Sequence, residues 1–166
     1  MQRGDIVLLD TNIIIEAVRI GCWQALRSSF RLQTVEKCRE EARTGNQRRP
    51  GYVTIADADL REGLQVHNVT DRELAMLGLT CESSMTLDAG ERHLWAHALH
   101  RTDRWFATCC DRAAIRVAVD LHWEDKLVSL EELLRICGAR AEPKPQFRTV
   151  RLSEWRTEAL LVRGLP

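Results

Sequence analysis

A chain of 166 residues, 45% hydrophobic and 29% charged, carries enough apolar side chain for one buried core and too much for a disordered polymer. No apolar run approaches the roughly 20 residues of a membrane span. Residues Met1 to Asp5 pass straight into a β-like run without the apolar stretch of a secretory signal, so the expectation is a cytoplasmic protein outside the membrane. The formal charge of +0 gives no global positive field for phosphate, yet lysine occurs only at Lys37, Lys126 and Lys144, and the other basic residues are arginines, whose planar fork suits phosphate.

Ile6-Val7-Leu8-Leu9 is too short and too uniformly apolar for a surface helix and predicts a strand buried on both faces, ending at Asp10. Thr11-Asn12 then caps a helix over Ile13–Arg19 that stops near Gly21, and a second short helix covers Trp23–Ser29. Phe30–Thr34 reads as a strand, Val35–Arg43 as a helix, and Gly45–Gly51 as a loop. Leu64–Val69 alternates apolar with polar residues, as an edge strand does. Thr70 with Glu73 three residues on predicts a capped helix over Asp71–Leu77. Leu87, Leu94, Trp95, Ala98 and Leu99 set a helix over Leu87–Leu99. A strand at Trp105–Cys109, a helix from Asp111 to Val119, a strand at Leu127–Leu130 and a helix over Glu131–Cys137 follow, the last closed by Gly138. Pro143 and Pro145 mark a linker before an amphipathic segment at Leu152–Leu161.

Strands alternating with helices predict a single α/β domain whose mostly parallel sheet is flanked by helices on both faces, with residues 1–137 forming the domain and 138–166 an extension packed on it. The six cysteines contain no C-x-x-C pair, which predicts free thiols rather than structural zinc. His93 and His97 lie at i, i+4, but no glutamate stands between them as a zinc protease requires. The tryptophans at 23, 95, 105, 123 and 155 are expected in the core or at an interface.

Sites in parallel sheets form beyond the carboxyl ends of the strands, so the acids there matter most. Asp10 ends the first strand and Asp111 follows the Trp105–Cys109 strand; Glu40 lies in the helix after the second strand, and Glu91 in the first turn of the Leu87–Leu99 helix. Each is open to a plain capping or surface role. Four carboxylates gathered in one cleft repel unless a cation neutralises them, and an all-oxygen set suits Mg2+ or Mn2+. Such ions support phosphodiester hydrolysis.

These segments resemble those of PIN-domain nucleases. Leu8-Leu9-Asp10-Thr11-Asn12-Ile13 is similar to the family's opening signature, Thr34–Glu40 to its second segment, Leu87–Ala98 to its third and Ala107–Ala114 to its fourth. The resemblance spans roughly residues 5–137. It implies a Mg2+- or Mn2+-dependent ribonuclease with Asp10, Glu40, Glu91 and Asp111 as site acids, Asp10, Glu91 and Asp111 among them holding metal, and Thr11 and Asn12 supporting them through hydrogen bonds. Two assignments stay open. Glu36 and Glu41 compete with Glu40, because Glu36 and Glu40 share a helix face and Glu41 is turned by about 100°. Asp88 competes with Glu91, although Asp88 also suits a cap. Arg92, Arg112 and Arg116 are candidates for RNA phosphate, or else solvated surface. The resemblance further implies a ribonuclease toxin of a toxin–antitoxin pair, with RNA, an antitoxin protein and a second copy of the chain as partners. The rival is a PIN-like scaffold or RNA-binding module without catalysis. A dehalogenase-like phosphatase is disfavoured because Asn12 stands where a second aspartate belongs, and a phosphorelay receiver lacks its acidic pair and lysine.

Overall fold

The computed structural model describes residues 1–44 and 62–164; the loop expected at Gly45–Gly51 lies outside them. β1 (Ile6–Leu9) leads into α1 (Thr11–Arg19) and α2 (Trp23–Ser29), then β2 (Arg31–Val35) and α3 (Glu36–Thr44). β3 (Leu64–His67) and α4 (Asp71–Thr80) follow, and a 3-10 turn at Glu82–Thr86 precedes α5 (Ala89–Leu99). β4 (Trp105–Thr108), α6 (Arg112–Asp120), α7 (Leu130–Cys137), a 3-10 turn at Pro145–Phe147 and α8 (Thr149–Gly164) complete the described chain.

The four strands are all parallel in the order β3-β2-β1-β4. Helices cover both faces, as expected of an α/β domain. The alternation along β1 shows why its sequence is apolar throughout: Ile6 and Leu8 enter one core with Leu94, Trp95 and Ile115, while Val7 and Leu9 enter the other with Ile13, Leu26 and Leu133. The chain runs outward from β1 through β2 to β3 and then crosses back to place β4 on the other side of β1. The crevice between β1 and β4, beyond their carboxyl ends, is therefore a topological switch point, where side chains converge without a crossover helix in the way.

Several local signals form as read. Thr70 and Glu73 make a reciprocal capping box, and Gly138 closes α7 with a left-handed φ of 76°. The strand expected at Leu127–Leu130 is reduced to a single parallel bridge between Leu127 and Ala107. Ser129 accepts the backbone N–H of Glu132 instead, so Leu130 starts α7 rather than extending the sheet. The last helix is longer than the expected Leu152–Leu161, and it packs on α6 within the same chain. Leu152 and Ala159 are its buried contacts; Trp155 and Leu160 are half-buried, and Leu161 is 65% exposed. No helix among the described residues is long and apolar enough to cross a membrane.

Candidate active site

Asp10 and Asp111 stand on either side of the switch point. Leu9 pairs with Thr108 in the last register of β1 and β4, and the Asp10 N–H donates to the Thr108 carbonyl at 3.3 Å. Both aspartates cap the helices that leave the sheet. Asp10 Oδ2 accepts the Asn12 backbone N–H at 3.3 Å and the Asn12 side-chain amide at 3.4 Å. Asp111 Oδ1 accepts from Ala113 at 2.7 Å and Ala114 at 3.1 Å. Asp88 does the same for α5, taking the Glu91 N–H at 2.9 Å. Capping thus fixes the carboxylates at the mouth of the crevice rather than competing with a role there.

Glu91 and Asp10 are buried, at 4% and 2% exposure. Burial, reinforced by the neighbouring Asp88 carboxylate, pushes Asp10 up to about 7. Burial together with Asp10, Asp111 and Asp88 pushes Glu91 up to about 9. The charges that act most strongly on Glu91 are therefore all carboxylates, which brings Asp10, Asp88, Glu91 and Asp111 into one neighbourhood. The thiols of Cys109 and Cys110 are raised by burial and, among other neighbours, by Asp10, Glu91 and Asp111.

The glutamate that α3 directs inward is Glu41, not Glu40. Thr11 Oγ1 donates to Glu41 Oε2 at 2.9 Å, and Gly90 lies so close that a Cβ there would overlap that oxygen. Glu40 pairs with Lys37 at 3.3 Å on the surface with its side chain 52% exposed, and Glu36 pairs with Arg39 at 2.7 Å. The helical register explains the outcome: α3 packs on α1 and α5, and the face turned about 100° from Glu36 and Glu40 is the one that meets them. Thr11 thus anchors Glu41, and Asn12 supports Asp10.

Of the three arginines, Arg112 pairs with Glu158 of α8 at 2.9 Å, Arg116 is exposed, and Arg92 holds its Nε buried without a hydrogen-bond partner among the described residues. The histidines lie elsewhere. His93 bonds the Ala89 carbonyl, while His97 stacks on His67 at 4.3 Å and meets Arg101. The Thr108 hydroxyl, missed in the sequence, is fully buried at the end of β4 with no hydrogen-bond partner among the described residues.

The residues suit a hard divalent cation in chemistry and charge. The donors are all oxygen, two of the carboxylates are buried among other carboxylates, and an orphaned hydroxyl sits at the adjoining strand end. Among the described residues, no three His, Cys, Asp or Glu side chains are gathered into a ready-made metal-binding group. Comparison of the chain with protein-family models, with curated proteins and with solved structures finds no match.

Proposed function

We propose that this protein is a metal-dependent endoribonuclease that hydrolyses RNA phosphodiester bonds at the crevice between β1 and β4. The observation that carries the reading is a pair of buried carboxylates, Asp10 and Glu91, with Asp111 and Asp88 beside them at a topological switch point. Carboxylates that raise one another's proton affinity suit a cationic ligand, which would take the place of those protons, and the motif resemblance to PIN-domain nucleases suggests its use. Bound Mg2+ or Mn2+ would supply activation of water and charge stabilisation at the scissile phosphate. Asp10, Glu91 and Asp111 would hold it, with Glu41 as the fourth acid in place of Glu40. Thr11 holds Glu41 through its hydroxyl, and the Asn12 amide orients Asp10.

The test is purified protein with single-stranded and structured RNAs, with and without chelator. The expected result is cleavage that needs Mg2+ or Mn2+, leaves 3′-hydroxyl and 5′-phosphate ends, and disappears in Asp10→Asn and Asp111→Asn with the fold intact. Cleavage that survives chelator, or leaves cyclic phosphates, overturns the reading. The resemblance extends it to a cytoplasmic ribonuclease toxin held as a homodimer with an antitoxin; a small neighbouring gene product that blocks cleavage would establish that. The second reading, an RNA-binding module without catalysis, is favoured by the absence of a gathered ligand group among the described residues. RNA binding indifferent to chelator, with no cleavage, would select it.

A further inference from the structure

Asp111 also lines a groove of about 600 Å3 between α6 and α8, a volume within the range of small-ligand sites. We propose that this groove seats a nucleotide of single-stranded RNA next to the cleavage crevice, with the base against Trp155 and its phosphate on Arg112 and Arg116. This rests on the nuclease reading above and adds to it where the substrate strand lies.

Three observations converge. The lining includes the buried apolar residues Val117 and Ala159, and the half-buried Trp155 contributes an aromatic ring from α8 with the Arg151 guanidinium 5.6 Å from its centroid. An aromatic platform beside arginines is how proteins hold unpaired bases without reading their identity, because every base has a stacking face. Secondly, Arg112 and Arg116 lie one turn apart on α6, both exposed and both lining the groove. Their guanidinium groups face the carboxylates of Asp111 and Glu158, which line the same groove, so a phosphate would enter by taking the place of Glu158 rather than by meeting a free positive patch. Thirdly, Arg112 bonds Glu158 across the groove at 2.9 Å, with both side chains well exposed, at 70% and 49%. An exposed pair of this kind is weakly held, so a phosphate can displace the carboxylate from the same guanidinium. Glu158 thus occupies the place a phosphate would take. A stretched, unpaired strand fits such a groove; a duplex would present its phosphates outward and keep its bases from Trp155.

The probe is a fluorescently labelled eight-nucleotide single-stranded RNA of mixed sequence. Its anisotropy is read with full-length Asp10→Asn protein in chelator, so that binding is measured without cleavage. Arg116→Gln should weaken binding at least threefold, and Trp155→Leu about tenfold, with Trp155→Phe retaining most of it. Glu158→Gln should tighten binding by about threefold, a gain that damage to the fold would not produce. The same sequence as a duplex should compete poorly. Unchanged affinity in both Arg116→Gln and Glu158→Gln overturns the proposal, whatever Trp155→Leu does to stability. Self-association that depends on Trp155, with RNA affinity unaffected, would assign the groove to a second copy and also overturn it. Binding that follows these variants while the parent cleaves no RNA would sink the nuclease reading but leave the groove assignment standing.

Discussion

Asp10 illustrates how one side chain serves two purposes at odds with each other. It caps α1, which stabilises the fold, and it is buried beside Asp88 and Glu91, which opposes its ionisation. A carboxyl whose folded-state pKa is raised binds its proton more tightly when folded, so the stability it contributes is present below its unfolded pKa and is lost as pH rises through the folded one. For Asp10 that window runs from 3.8 to about 7, and for Glu91 from 4.5 to about 9. Urea unfolding in chelator should therefore show a lower midpoint at pH 9 than at pH 6. Asp10→Asn keeps an equally good cap and removes the charge, so it should raise stability at pH 8 by on the order of 2 kcal/mol and flatten that slope. The same variant should bind Mg2+ or Mn2+ more weakly by calorimetry; parental affinity would show that Asp10 is no ligand. His97 acts in the opposite sense. Burial, with His67 and Arg101 beside it, lowers its pKa from 6.5 to about 4, so the stability it contributes is present above 6.5 and lost as pH falls through 4. Replacing it with Gln should remove part of the loss of stability on acidification.

At the scale of elements, the packing of α3 on α1 and α5 decides which of its glutamates turns inward. Gly90 is the residue that permits it, since any side chain there would displace the Glu41 carboxylate from Thr11. The displaced group is the far end of a flexible side chain, so Gly90→Ala should leave the fold intact and cost about 1 kcal/mol through the lost hydrogen bond. Cleavage should nevertheless fall at least tenfold. Glu41→Gln should likewise impair cleavage while Glu40→Gln stays near parental, because Glu40 only pairs with Lys37 at the surface. Equal effects of the two would remove Glu41 from the site. This is also where the sequence stops being informative. Strand β1 and its terminal aspartate were legible because four consecutive apolar residues can be buried only between two helical layers. Asp88 was legible as a cap from its place three residues before Glu91. Which of Glu36, Glu40 and Glu41 turns inward was not, because it depends on the rotation of α3 against α1 and α5, a tertiary choice that helical spacing alone leaves open. The 127–130 segment misled for a related reason: apolar residues suit a strand or a helix start equally, and the Ser129 cap decided it.

For the whole molecule, the carboxyl-terminal extension is part of the fold rather than an appendage. Leu152 enters the core on one face of the sheet, with Trp95 and Ile115, and Phe147 enters the core on the other, with Ile13 and Leu133. The segment therefore closes both hydrophobic layers. It is also tied back to the first helix. The buried Glu16, already bonded to Arg19 at 2.6 Å, accepts the backbone N–H of Lys144 at 2.8 Å. Its arginines are likewise bound into the chain: Arg156 donates to the Glu124 carbonyl, and Arg163 to the Val119 carbonyl. These two hold α8 against the domain, while Arg151 pairs with Glu154 and lies over the Trp155 ring, and Arg112 and Arg116 of α6 line the groove that this helix completes. Burying one large apolar side chain contributes roughly 1.5–3 kcal/mol, so losing two of them is comparable with a large part of a domain's total stability of about 5–15 kcal/mol. Truncation after Gly138 should accordingly give a protein that no longer melts in one cooperative transition, as measured by circular dichroism and calorimetry. Phe147→Ala alone should lower stability by about 3 kcal/mol with cleavage retained below its melting temperature. A truncated protein that melts cooperatively near the parental temperature would show that residues 139–164 only rest on the surface, and the groove beside Asp111 would then lose the wall that carries Trp155.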